Sequence, residues 1–276
     1  MLSGPPPISV LMPSFNGARY VAEAIQSIRD QTFRDYEFII VDDHSTDGSW
    51  DIILSCARQD PRIVAVRNDR NLRICETLNR GLGLSQAPFI VRMDSDDVAL
   101  PLRLARLHRF MSDPGNDAVG VCGSFCLVIN EAGVPLGTKA FPVEDEEIRR
   151  SFWRRNPIQH SAAIIRRACF KDLGLYDGAY LLAEDLDLWM RFGRRWRLAN
   201  IPEVLLKYRV SSTSSILAHQ KEMMSQSIRV RRDGAIKYGY GLSWRARAGM
   251  ATMALMRLLP PRLVFRIFMR SIRALP

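Results

Sequence analysis

The sequence predicts an α/β fold: a mostly parallel, Rossmann-like central sheet with flanking helices, plus a C-terminal helical extension. Three observations carry this prediction. Apolar runs of strand length alternate with helix-periodic segments over roughly the first 125 residues, the pattern of a parallel sheet covered on both faces. Acidic clusters, Asp42-Asp43 and Asp94-Ser95-Asp96-Asp97, close two of those runs, at the strand ends where such sheets bind ligands. From about Ser243 the chain turns to arginines and apolar residues at helical spacing.

The elements follow in chain order. Ile8 to Met12 reads as a buried strand stopped by Pro13. Val21, Ile25 and Ile28 fall on one helical face. Tyr36 to Val41 is the next strand, and Ser45-Thr46-Asp47-Gly48 opens a helix over Ser49 to Ala57 with side-chain oxygens available as caps. A strand over Ile63 to Val66, a helix over Glu76 to Leu84 and a strand over Phe89 to Met93 continue the alternation. Beyond Pro101 the order loosens. The sequence predicts a helix over Leu102 to Met111, a strand over Val119 to Val128 and a hairpin turn at Asn130-Glu131-Ala132-Gly133. Short mixed elements run from about Pro142 to Asp177, followed by a helix over Glu184 to Phe192, a strand over Val204 to Val210 and a polar helix from near Ser214.

At 276 residues the chain fits one large domain, or one domain with an extension. Hydrophobic residues are 47% and charged residues 25%, a globular balance rather than a disordered one. No apolar run approaches bilayer-spanning length, and Met1 to Pro7 lacks the basic and apolar regions of a signal peptide. The five cysteines are scattered and form no Cys-x-x-Cys pair, which predicts reduced thiols in a cytoplasmic protein. The net charge of +10 is confined to the end of the chain: from Arg229 onward there are eleven Lys or Arg and one acid, Asp233. Arg262, Arg266, Arg270 and Arg273 share one helical face, and Pro260-Pro261 divides that helix from one over Trp244 to Leu259. No aromatic-interleaved basic motif points to nucleic acid. An anionic membrane surface, met through residues 243–276, is the partner this pattern suits, against a helix packed on its own domain.

Three carboxylates crowded at Asp94, Asp96 and Asp97 repel one another. A divalent cation relieves that repulsion, and a strand end is where it meets a phosphate. A third acidic run, Glu184-Asp185-Leu186-Asp187-Leu188-Trp189, lies far along the chain. Taken with Val10 to Asn16, Ile40 to Gly48, Asn156-Pro157-Ile158-Gln159-His160-Ser161 and Tyr208-Arg209, these segments resemble the family 2 glycosyltransferases of bacterial surface-polysaccharide assembly over roughly residues 8–215.

The resemblance implies a glycosyltransferase-A type fold and a set of roles. Pro13 and Phe15 would border the nucleotide base, Asp43 would accept its ring N–H, and Asp94 would reach the ribose. Asp96 would hold Mg²⁺ or Mn²⁺ on the diphosphate. Asp185 would be the general base, with Glu184, His160 and Trp189 near the sugar or acceptor. A carboxylate suits the base because the acceptor hydroxyl must lose its proton as it attacks. Each residue also has a plainer use: Phe15 and Trp189 as core aromatics, Asp43 as a turn or cap residue, His160 as a structural histidine, and the acidic run as a charged helical first turn. Relatives often carry a His soon after Tyr-Arg, whereas here Val210-Ser211-Ser212-Thr213-Ser214 follows.

The implied protein is an inverting, metal-dependent hexosyl- or N-acetylhexosaminyl-transferase using a UDP-sugar. Its nucleotide-sugar-binding catalytic domain spans residues 1–215 and its basic amphipathic extension residues 216–276. It would act on a glycan or lipid-linked glycan, at the cytoplasmic face of the inner membrane. Two alternatives are a sugar-nucleotide nucleotidyltransferase, which needs a glycine-rich basic loop where Pro13-Ser14-Phe15-Asn16-Gly17 stands, and a catalytically inactive nucleotide-binding module at a membrane. A receiver-like signalling domain would leave Glu184-Asp185 and the tail unused.

Overall fold

The parallel strands read as unbroken apolar runs because helices cover both of their faces. In the computed structural model, which describes residues 4–210, 220–260, 263–264, 267 and 272, all seven residues of β1 (Ile8–Ser14) are buried. Alternate side chains go to opposite faces: Val10 and Met12 enter one apolar cluster with Phe38 and Ile40, and Leu11 enters the other with Ile39 and Val41. β2 (Tyr36–Asp42), β3 (Ile63–Arg67) and β4 (Phe89–Arg92) join β1 in a parallel block ordered β3-β2-β1-β4. α1 (Val21–Arg29), α2 (Ser49–Gln59) and α4 (Arg103–Met111) pack on one face. α3 (Arg73–Leu84), α6 (Arg167–Leu173) and α7 (Glu184–Phe192) pack on the other.

The second half of the sheet is mixed. β8 (Ile164–Arg166) runs antiparallel between β4 and β6 (Val119–Ile129). β9 (Arg197–Arg209) lies parallel to β6, and the short β5 (Val98–Ala99) closes the edge antiparallel to β9. β7 (Pro135–Lys139) forms the expected hairpin with β6. At its turn Asn130 Oδ1 accepts from the Ala132 and Val134 amides, and Gly133 takes φ +80°. α5 (Asp145–Ser151) bridges β7 to the loop before β8.

Pro13 falls inside β1, against the expectation that it would end the strand. Leu11 O accepts from the Met93 amide on the β4 side, and Ser14 O accepts from the Asp43 amide on the β2 side. Pro13 therefore points its nitrogen toward β4, where pairing has already ended at Leu11↔Arg92, so no ladder bond is lost. β9 starts at Arg197, seven residues before the expected Val204, and passes Pro202 by a register shift that places Phe125 opposite Val204 after Ser124 opposite Ile201.

The extension begins as part of this body. α8 (Gln220–Lys237) buries Val230 fully. The Tyr180 hydroxyl donates to Asp233 on α8 at 2.7 Å, and Tyr238 donates to Asp187 of α7 at 2.7 Å. α9 (Trp244–Met256) follows, capped by Ser243, whose hydroxyl accepts from the Ala246 amide. Arg262, Arg266, Arg270 and Arg273 lie outside the described residues. Among the described residues no helix is long and apolar enough to cross a membrane. All five cysteines are free thiols.

Candidate active site

The carboxyl ends of β1, β2 and β4 meet at a cleft of about 690 Å³ whose walls include Pro13, Phe15, Asp43 and Asp94. The four residues assigned to the nucleotide from sequence thus line one space. Phe15 is 51% exposed and so is no core aromatic. The loop carrying it is stitched to the loop after β2: the Asn16 amide donates to Ser45 Oγ, the Gly17 amide to Ser49 Oγ, and the Ala18 amide to Asp47 Oδ2. Of the side-chain oxygens expected to cap α2, Ser45 Oγ is spent on this neighbouring loop, while Asp47 Oδ1 takes the Ser49 amide at the start of the helix. Asn16, His44 and Arg73 hold positive φ (49°, 64° and 69°) around the same cleft, backbone strain of the kind that gathers at ligand sites.

Asp43 is buried and already accepts three hydrogen bonds. Oδ1 takes Asn68 Nδ2 and the Leu72 amide, each at 2.7 Å, and Oδ2 takes the Arg73 amide at 2.9 Å. It orders the loop into α3 as the turn reading expected, and Oδ2 retains one lone pair for a ring N–H.

Carboxylate oxygens of Asp94, Asp96 and Asp97 all lie within 4.8 Å of one another. Their environments differ. Asp94 pairs with Arg92 at 2.7 Å. Asp97 is fully buried, and its Oδ1 accepts the Arg209 amide of β9 at 2.8 Å. Burial and then Asp94 raise Asp96 to about 6, although its outer edge is open to solvent. Burial and then the two neighbouring aspartates push Asp97 well above the carboxylate range. Mutual repulsion among hard oxygen donors is the condition a divalent ion relieves. Asp97 Oδ2 is also buried with no well-formed hydrogen bond among the described residues. These residues fit Mg²⁺ or Mn²⁺.

A second cleft, of about 500 Å³, opens on the far side of Asp94, which lines both. Glu184, Asp185 and His160 line it, with Arg92, Lys139 and Arg231. Asp185 sits in the first turn of α7 and is held at both oxygens: Asn156 Nδ2 donates to Oδ2 at 2.5 Å and the Leu186 amide to Oδ1 at 2.7 Å. Burial raises its pKa, while Lys139 and Arg92 oppose the shift. Glu184 beside it is pushed up to about 8, by burial first and then by Asp185. His160 is held well below its usual value by burial and then Arg92. Its 3.7 Å approach to Glu184 is therefore a contact between two uncharged groups near neutral pH. His160 Nε2 is hydrogen-bonded to the Tyr176 hydroxyl at 2.8 Å.

One assignment is corrected. Trp189 shares a helical face with Asp185, yet it is 0% exposed and packs edge-on against His160 at 5.7 Å. It supports the floor of the cleft and touches no space a sugar could occupy. The loop after Val210, residues 211–219, lies outside the described residues. The sequence assigns no role to Asn156 or Tyr208, though each stands in a quoted motif, or to Arg92 in the strand before Asp94, and it marks Lys139, Tyr176 and Arg231 not at all.

A profile of glycosyl transferase family 2 matches residues 9–174. An O-antigen biosynthesis glycosyltransferase of Escherichia coli is 30% identical over 236 residues, covering 80% of this chain and 87% of its own length. Among solved structures, S. aureus TarS 1-349 in complex with UDP-GlcNAc superposes with a TM-score of 0.65 at 20% identity, over 91% of this chain and 72% of its own. A mannosyltransferase of Pyrobaculum calidifontis in complex with GDP-Man and Mn²⁺ superposes with a TM-score of 0.64 at 17% identity, over 98% and 85%. These two likenesses show the fold.

Proposed function

This chain belongs to glycosyl transferase family 2, and from that premise we propose that it is an inverting, metal-dependent transferase moving a hexosyl or N-acetylhexosaminyl unit from a UDP-sugar to a glycan hydroxyl in surface-polysaccharide assembly. One observation carries the reading: the nucleotide-sized cleft at Phe15 and Asp43 and the carboxylate-lined cleft at Asp185 meet at Asp94. A donor lying across Asp94 presents its sugar to Asp185. The solved relative bound to UDP-GlcNAc and the relative named for O-antigen biosynthesis support the donor and acceptor classes.

In this mechanism Phe15 offers its open face to the base and Asp43 accepts the ring N–H. Asp185, fixed by Asn156 and the Leu186 amide, takes the proton of the acceptor hydroxyl as that oxygen attacks the anomeric carbon. The bond from anomeric carbon to phosphate oxygen breaks on the opposite face, the electron pair leaves with the diphosphate, and the configuration inverts. Mg²⁺ or Mn²⁺ held by Asp96 and Asp94 would offset the negative charge gathering on that leaving group. Neutral Glu184 leaves Asp185 as the anion of the pair. Residues 1–215 form the catalytic domain, and the extension 216–276 completes the cleft through Arg231 and meets the cytoplasmic face of the membrane.

The test is Asp185→Asn. UDP and UDP-sugar should stabilise the variant thermally as they do the native chain, and transfer should fall by at least about 10²-fold. Transfer retained within a few-fold overturns the assignment of the base.

A further inference from the structure

We propose that the acceptor is an anionic glycan, its acidic units carried by a basic, aromatic-lined groove that leads away from Asp185 to the start of α9. The proposal rests on the glycosyl-transfer reading above and names the chemistry of its acceptor.

Three concavities adjoin along the chain from Arg150 to Asn156. The Asp185 cleft takes Lys139 and Asn156 as walls. The next space, about 390 Å³, takes the residues immediately beside them, Ala140 and Arg155, together with Phe125 and Phe141. A third space, about 590 Å³, shares Ser151 with the second and lies between Arg150, Arg154 and Trp153 on one side and Trp244 and Arg245 on the other. The three spaces are therefore neighbours: Lys139 Nζ lies 5.2 Å from the Phe141 ring centre and Ser151 is shared; the middle space also has Glu147 in its wall, and the far one holds three arginines and no acid.

The side chains there suit a sugar acid. Trp244 is 73% exposed, a large cost for an indole. It opens the helix rather than closing a core, and Arg245 lies over its ring at 5.4 Å. A flat exposed indole takes the C–H face of a pyranose, and guanidinium groups bind carboxylate or phosphate through paired donors. Arg150 pairs with Glu146 in a solvent-exposed ion pair, which is worth little and leaves the guanidinium accessible to an anion. Gly249 brings α9 onto the Trp153 backbone, since a Cβ there would overlap the Trp153 carbonyl; the α9 wall is thereby fixed relative to Arg154. A concave groove beside the catalytic cleft fits a chain molecule, whereas a bilayer is flat and would meet the outward Leu255 and Leu258 instead.

The full-length chain is titrated with oligogalacturonate of six to eight units (about that length spans several subsites), with neutral dextran oligomers of equal length, and with phosphatidylglycerol vesicles. Native tryptophan fluorescence and affinity electrophoresis report binding. Oligogalacturonate should bind at least about tenfold more tightly than dextran. Arg154→Glu with Arg245→Glu should abolish that preference and Trp244→Ala should weaken it, while UDP binding is unchanged in both variants. Asp185→Asn should bind oligogalacturonate like the native chain, so failure of the groove and failure of the catalytic reading are separable. Equal binding of acidic and neutral oligomers, binding unaffected by the paired charge reversal, or binding of vesicles alone would each overturn the proposal.

Discussion

Glu184 and Asp185 are consecutive carboxylates that burial raises alike, and the groups around each oxygen are what distinguish them. Asp185 has the Asn156 amide and the Leu186 N–H to stabilise its charge, with Lys139 and Arg92 near. Glu184 is raised by burial and then by the Asp185 charge, to about 8. Its folded pKa exceeds the unfolded value of 4.5, so the folded state binds the extra proton between those two pH values. Stability is then lost as pH climbs from about 4.5 through about 8. Glu184→Gln should flatten that part of the Tm-against-pH curve relative to the native chain, and it should keep far more transfer activity than Asp185→Asn. Parallel Tm curves would show that Glu184 is solvated. The sequence displayed both residues because they are adjacent to each other and close a recognisable motif, and the same holds for Asp43, Asp94 and Asp96. It did not display Lys139, Tyr176 or Arg231. Lys139 and Arg231 reach the cleft from different elements and Tyr176 stands behind His160, and local pattern carries no record of a contact made across the fold. Arg231 is the plainest case: it is 2% exposed on a helix whose other arginines are ordinary surface residues, and its Nε donates to Phe152 O.

The elements that built the site were legible where the chain alternates. The strands that end at Asp42 and Arg92 fall within one residue of their expected limits, because a strand covered on both faces is an uninterrupted apolar run. Beyond α4 the sheet turns mixed, and β8, three residues long and antiparallel, is too short for periodicity to mark. α3 shows how closely an element here can be tied to the sheet. Gly81 faces β1, and a Cβ there would overlap Leu11 Cδ1 and stand 3.2 Å from Val41 Cγ2. Gly83, two residues on, has nothing within 4 Å of the same position. Both gain roughly 1 kcal/mol of helix propensity on changing to Ala, but only at Gly81 must the core move, at a cost of about 1–3 kcal/mol. Thermal denaturation should show Gly83→Ala raising Tm, and Gly81→Ala lowering it or at best leaving it level. A stabilised Gly81→Ala would mean that α3 stands off β1 by more than this packing allows.

Charge is distributed unevenly over the whole molecule. Residues 1–228 hold 28 basic and 28 acidic groups, and the excess of +10 lies wholly beyond them. A transferase domain near neutrality has no long-range preference for an anionic surface, so in the membrane-contact proposal attraction to one rests on the tail. There Leu255 and Leu258 are 67% and 73% exposed, and Arg257, Arg262, Arg266, Arg270 and Arg273 follow within seventeen residues. Each such arginine near an anionic leaflet contributes roughly 1 kcal/mol, screened by salt, and apolar side chains reaching the headgroup layer add to it. Four of the five arginines lie beyond Leu259, so deleting residues 261–276 removes most of the attraction while leaving α8 and the cleft in place. In a flotation assay the full chain should rise with phosphatidylglycerol vesicles at low salt, remain below with phosphatidylcholine vesicles, and detach at about 0.5 M salt, where the Debye length is only about 4 Å. The shortened chain should stay below in every case and bind UDP like the native one. Should it float as the full chain does, the attraction lies in the catalytic body, and the uneven charge along this sequence has another purpose.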